Sequence, residues 1–199
     1  AQLEHEGIVE RVKGKGTFVA RPKTSESLVH TLAGLFEEVE RRGGHVRSQI
    51  LRHERVPASA EVAAALDIAP GDSVVALERL RFIDDEPWSL TTTWMPEDIG
   101  AVTFASDMAE LSLYAVLADH GWHAVRGRRS AEATIASPEQ ARLLGMSPGS
   151  ALLLLRSTSY SEAGRPMEHF VAYHRGDRSR FEFQLRATAS TTELVHVSS

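Results

Sequence analysis

The feature that most constrains this chain is a duplication. Residues 58–82, ASAEVAAALDIAPGDSVVALERLRF, align without a gap on residues 136–160, ASPEQARLLGMSPGSALLLLRSTSY, at an offset of 78 positions. Ala58 falls on Ala136, Ser59 on Ser137, Glu61 on Glu139, Leu66 on Leu144, and Pro70-Gly71 on Pro148-Gly149. Each copy opens with a serine suited to cap a helix, turns at Pro-Gly and enters an apolar strand. A turn follows, Asp84-Asp85-Glu86 in one copy and Glu162-Ala163-Gly164-Arg165 in the other, so that Pro87 comes to match Pro166. A return strand closes each unit. Two such units predict an α+β fold: a pseudo-twofold, mostly antiparallel sheet flanked by helices, with the helices on one side. Between the copies the pattern predicts a short helix, Ser112 to His120, and a strand, Ala124 to Ile135.

The N-terminal end reads differently. Residues 1–24 hold five basic side chains against three acidic ones, net +2, whereas the whole chain has 22 against 27, net −5. The remainder therefore carries −7, which excludes a uniformly nucleic-acid-binding surface and suggests two parts with different partners. Ile8–Val12 and Thr17–Ala20 are β-favouring around the turn Lys13-Gly14-Lys15-Gly16, and Arg21 to Ser25 reads as a linker. A helix with one apolar stripe (Leu28, Leu32, Leu35, Phe36, Val39) runs from Ser27 to about Arg42 and stops at Gly43-Gly44. The last dozen residues are Ser/Thr-rich and read as a tail. With no cysteine, disulfides and thiolate metal sites are excluded. No segment reads as a membrane span or signal peptide, so the expectation is a cytoplasmic protein without a membrane partner.

Three apparent chemical motifs carry little. Gly145-Met146-Ser147-Pro148-Gly149 matches the G-x-S-x-G of hydrolase elbows, but that elbow needs a strand before the serine and a helix after it. Here the order is reversed, and the other copy has the same turn without serine. Gly14-Lys15-Gly16-Thr17 lacks the spacing of a phosphate loop and precedes a strand. Asp119, His120 and His123 straddle a helix end, where capping or solvation is the simpler role. No metal or cofactor is expected.

The strand Val74–Phe82 is more informative. Alternation puts Val75, Leu77, Arg79 and Arg81 on one face. Two guanidiniums on neighbouring rungs could lie at a sheet edge and reach solvent or pair with a carboxylate, or could form a fork for phosphate or carboxylate. Ser112 is placed to cap the following helix with Tyr114 in its first turn; the pair could be an ordinary cap and a core tyrosine, or an anion seat. Glu168, Phe170, Ala172 and His174 share a face of the last return strand. Glu168 and His174 could meet ligand, or be linked to Arg79 or Arg81.

These residues resemble a known family. The segment LEHEGIVERVKGKGTFVARP is similar to the recognition-helix end and wing of GntR-superfamily winged-helix repressors, whose wing reads G-[IL]-[IV]-x-R-x-x-G-x-G-T-[FY]-V. The rest resembles the UTRA effector domain of the HutC/FarR subfamily, which has a chorismate-lyase-like fold. It does so through Pro70-Gly71, Arg79-Leu80-Arg81 with Asp85-Glu86-Pro87, Pro148-Gly149, Pro166-Met167-Glu168-His169 and Tyr173-His174-Arg175-Gly176-Asp177-Arg178. The resemblance implies a wing remnant over residues 1–21, a linker over 22–26, an effector domain over 27–187 and a tail over 188–199. It also implies a homodimer that regulates transcription, most of all as a repressor, and whose operator affinity a small metabolite changes. The wing residues Lys13, Gly14, Lys15, Gly16 and Thr17 would meet operator DNA, given the upstream winged-helix part that this chain lacks.

In phosphosugar-responsive members the phosphate sits on an Arg-x-Arg strand and a Ser-x-Tyr helix start, matched here by Arg79/Arg81 and Ser112/Tyr114. Glu168 and His174 match the positions that meet the sugar, although the latter is more often Tyr, and Gly34 stands where such members have a hydroxyl residue. Other members respond to urocanate, fatty acids, trehalose phosphate or phosphonates. The expectation is therefore a small anionic effector, first of all a sugar phosphate. The alternatives are a chorismate-lyase-like enzyme and a stand-alone ligand-binding module.

Overall fold

A computed structural model describes residues 9–12, 16–19, 24–26, 39 and 43–181. Strands β1 (Val9–Val12) and β2 (Gly16–Val19) pair antiparallel, from Val9 opposite Val19 to Val12 opposite Gly16. The predicted basic hairpin is formed. Its tip, Lys13 to Lys15, lies outside the described residues, as do Gly34, most of the predicted helix 27–42 and the tail. Strand β3 (Thr24–Glu26) replaces part of the expected linker, pairing in parallel with β10 (Ser179–Phe181).

The body is one six-stranded sheet, wholly antiparallel. It is built from β4 (Val46–Pro57), β5 (Ser73–Ile83), β6 (Glu86–Pro96), β7 (Arg126–Ile135), β8 (Ala151–Tyr160) and β9 (Pro166–Arg175). Their spatial order, β4-β5-β6-β9-β8-β7, is palindromic about the β6–β9 seam. The repeat is thus longer than its sequence signal: β4 and β7 are equivalent edge strands, so each copy begins with a strand. The strand expected between the copies is the start of the second. Their sequences, VRSQILRHERVP and RGRRSAEATI, have diverged because both lie at an exposed edge where few side chains are held by packing.

The connection between edge strand and hairpin repeats in its backbone hydrogen bonds. Helices α1 (Ala60–Leu66) and α4 (Pro138–Leu144) are capped by Ser59 and Ser137. Both end in a left-handed residue, Asp67 (φ 54°) and Gly145 (φ 63°). The turn bonds Gly71 N–H to Ala58 O (2.9 Å) and Ala58 N–H to Asp72 O (2.8 Å) recur as Gly149 to Ala136 (2.9 Å) and Ala136 to Ser150 (2.8 Å). Gly145 therefore stands in G-x-S-x-G as a helix terminator. The β5–β6 turn is tighter, with Asp84 (φ 49°) and Asp85 (φ 64°) both left-handed. Such a turn favours Asn-Gly; here the start of β4 and the residue before it stabilise it, since Asp84 Oδ1 accepts from His45 N–H (3.0 Å) and Asp85 Oδ1 from Arg47 Nε (2.9 Å).

Helices cover both faces, not one. α1 packs Val62, Ala63 and Leu66 on Val74 and Trp94, and α4 packs Ala141 and Leu144 on Leu80, Leu90 and Leu152. The opposite face receives the connection between copies: α2 (Glu97–Gly100), a 3-10 turn (Ala101–Ala105) and α3 (Leu113–Asp119). Ile99, Leu113, Val116 and Leu117 bury Val75, Leu77 and Met95 there. A Cβ on Gly100 would lie 2.6 Å from Val75 Cβ, so this residue sets the close approach of α2 to the sheet. No helix among the described residues is long and apolar enough to cross a membrane.

Candidate functional site

The α3-covered face is apolar at one end and polar across its middle, and the strand register says why. Cross-strand partners in an antiparallel sheet share a face. Arg81 pairs with Ser89 and Ser89 with His174; Arg79 pairs with Thr91 and Thr91 with Ala172. Further along, Ser159 pairs with Glu168. All these side chains therefore project toward α3, which explains how a strand so rich in apolar residues can bury two arginines.

Arg79 is 2% and Arg81 8% exposed, so the sheet-edge alternative fails: β4 covers β5 on its outer side. Arg79 Nε and Nη1 are buried without a hydrogen-bond partner. Burial and the neighbouring Arg81 charge hold the Arg79 guanidinium well below its ordinary value. A buried cation with unmet donors is costly unless an anion meets it.

Glu168, 1% exposed, lies on β9 beyond the seam. Its Oε1 accepts from Tyr114 Oη (2.9 Å) and Ser159 Oγ (2.7 Å), whereas Oε2 has no partner. It is not ion-paired to Arg79. Burial pushes the Glu168 carboxyl above the usual carboxylate range; the two hydroxyls and the Arg129 and Arg79 charges pull the other way. The Tyr114 hydroxyl is pushed up as well, by burial and by the Glu168 charge. Ser112, buried, caps α3 by accepting from Ala115 N–H (3.4 Å). The expected helix is thus present, with Ser112 as its cap and Tyr114 turned onto Glu168.

Arg79, Tyr114, Ser159 and Glu168 form one group. His174 does not join it, because six residues along a strand span roughly 20 Å. It sits instead, 3% exposed, on the rung of Arg81 and Ser89. Glu168 and His174 therefore flank the arginines from opposite ends. Arg129 on β7 was not apparent from sequence: it pairs with Ser157, on the rung of Phe170, and its guanidinium lies 5.2 Å from the Phe170 ring. Only the register of an edge strand without alternation reveals that placement. Of the wing residues, Gly16 and Thr17 lie in β2; Lys13, Gly14 and Lys15 are outside the described residues. His120 caps its helix, with Nδ1 2.8 Å from Val116 O.

Comparison with known proteins gives this face a context. The UTRA domain family matches residues 41–180. The HTH-type transcriptional repressor NagR of Bacillus subtilis is 28% identical over 186 residues, covering 91% of this chain and 74% of that protein. The histidine utilization repressor of Pseudomonas putida is 28% identical over 181 residues, covering 91% and 72%. The crystal structure of PhnF from Mycobacterium smegmatis superposes with a TM-score of 0.80 at 27% identity, covering 94% of this chain and 82% of that one. Relatives named as repressors thus match about nine tenths of the chain, and the chain belongs to the UTRA domain family, among transcriptional repressors of the GntR/HutC type.

Proposed function

We propose that the α3-covered face is the effector pocket and that it takes a small anionic metabolite, first of all a sugar phosphate. Arg79 and Arg81 receive the anion, Ser112 and Tyr114 border it, and the polar body of the ligand extends between Glu168 and His174. Occupancy alters operator binding, which the Lys13–Thr17 wing makes together with an upstream winged-helix part in a homodimer. This is a sensor and not an enzyme. The domain limits follow the same reading: wing over 1–21, linker over 22–26, sensor over 27–187 and tail over 188–199.

The supporting observation is Arg79: a guanidinium 2% exposed, repelled by Arg81, with two donors unmet by protein. Each charge-assisted bond is worth about 1.5–3 kcal/mol, so Arg79→Ala weakens an anionic ligand by roughly ten- to hundredfold. Titration calorimetry with sugar phosphates, phosphonates, carboxylates and neutral sugars tests this. Preference for a neutral ligand, or unchanged affinity in Arg79→Ala and Arg81→Ala, refutes the anion site.

A further inference from the structure

We infer that Ser157 reads the uncharged end of the effector: it is the pseudo-twofold counterpart of Arg79, and its hydroxyl meets a hydroxyl on the body of the ligand. The inference rests on the anion-site reading above and adds to it a residue that decides which anion is held.

The duplication places the two residues. At the offset of 78 positions Arg79 falls on Ser157 and Arg81 on Ser159. Pro87 matches Pro166, so on the return strands the offset becomes 79 and Ser89 falls on Glu168. The sheet register obeys the same relation. Arg81 pairs with Ser89 as Ser159 pairs with Glu168. At the seam Thr91 pairs with Ala172 and Thr93 with Phe170, and exchanging the copies turns each pair into the other. The twofold therefore passes through the Thr92–Val171 pair, and Arg79 and Ser157 stand at matching places on either side of it.

Buried atoms left without partners follow this symmetry. In the first copy they include Arg79 Nε and Nη1 and Ser89 Oγ; in the second, Ser157 Oγ and Glu168 Oε2. These four residues are each at most 2% exposed and share the sheet face under α3. Unmet groups left by poor packing have no reason to fall at twofold-related positions. One molecule bound on the axis supplies that reason, because each copy of the repeat then lends it the same two places.

The two halves have diverged in what they offer. Arg79 gives charged donors, suited to the anion. Ser157 gives a hydroxyl that both donates and accepts, next to a carboxyl oxygen of Glu168 that is still unmet. An alkyl body would leave both of these buried groups unsatisfied, whereas a hydroxyl-bearing body satisfies them. Strands β5 and β8 lie three spacings apart, roughly 14 Å. Inorganic phosphate held at Arg79 therefore does not reach Ser157, and a ligand carrying a sugar ring beyond its phosphate does.

The test titrates the full chain with glucose 6-phosphate and with hexyl phosphate, which carries the same phosphate on a body without hydroxyls. The parent is expected to prefer glucose 6-phosphate. Ser157→Ala is expected to cut that preference by about tenfold, the scale of one hydrogen bond to a buried group. In ligand-free buffer the same variant is expected to melt no lower than the parent, because an unmet hydroxyl contributes nothing to the fold. A parent without the preference, or a preference equal in parent and Ser157→Ala, overturns the role of Ser157. So does a lower melting temperature of the ligand-free variant, since the hydroxyl would then have a partner within the protein. Inorganic phosphate tests the underlying site separately: phosphate binding indifferent to Arg79→Ala overturns the anion site, whatever the preference between the two esters.

Discussion

Replacing Arg79 with methionine should make the free protein more stable. Methionine keeps the unbranched stem that packs beside Leu77 and Thr91 but removes the charge. Two orphaned donors are relieved, each worth about 1–3 kcal/mol when buried and unmet. Repulsion from Arg81 is relieved too. Side chains two apart on a strand are separated by roughly 7 Å, which at an effective dielectric of about 20 amounts to about 2 kcal/mol. Against this stand imperfect packing of the thioether and the lost attraction of Glu168, so a net gain of about 3 kcal/mol is expected, within the range seen when buried charges give way to apolar groups. For a domain of this size that raises the melting temperature by roughly 6–12 °C. Urea titration and thermal melts in a buffer free of phosphate and sulfate measure it. In excess phosphate the ranking narrows or inverts, because only the parent gains from ligand. A methionine variant less stable than the parent in the anion-free buffer would refute the reasoning, since Arg79 would then be contributing to the fold.

Two further perturbations probe the scaffold and its titration. Ser137 both accepts from Gln140 N–H (3.2 Å) and donates its own N–H to Gln140 Oε1 (3.0 Å), a reciprocal box; Ser59 caps α1 through a 3.3 Å bond to Val62 N–H, with Val62 at the reciprocal position. Ser137→Ala should therefore cost more than Ser59→Ala, both within about 0.5–2 kcal/mol, by urea unfolding. Glu168 titrates above its unfolded value, so its contribution to stability is fully present below about pH 4.5 and is lost as pH rises through the folded value. Glu168→Gln should flatten that loss, and equal pH slopes in parent and variant above pH 4.5 would count against it.

The duplication was legible because helix caps, Pro-Gly turns and apolar strands repeat in residue type, and these features depend on local chemistry. The short capped helix at Ser112 was legible for the same reason. The edge strands were not paired with each other in sequence, since nothing packs on most of β7 to preserve a pattern. The rest of the second helical layer was hidden: Glu97–Ala105 is built of one short helical turn and a 3-10 turn, too brief for periodicity to register. Within the site, Arg79 and Arg81 announced themselves by alternation. Their burial did not, because it depends on β4 lying outside β5. Arg129 required the cross-strand register, a relation between positions 129, 157 and 170 that no window along the chain contains.

The palindromic strand order has a kinetic side. Each half closes through neighbours in sequence, β5 with β6 around Asp84-Asp85 and β8 with β9 around Glu162–Arg165. The seam between halves joins Ser89 to His174, 85 positions apart, and must close a far longer loop before it gains any contact. The two arginines belong to the first half and the Glu168–His174 strand to the second. By the same loop-closure argument, a molecule held between them spans a join that closes after the hairpins of each half and parts before them. It would therefore act as a latch on separation, slowing the escape from the native state while leaving the speed of assembly nearly unchanged.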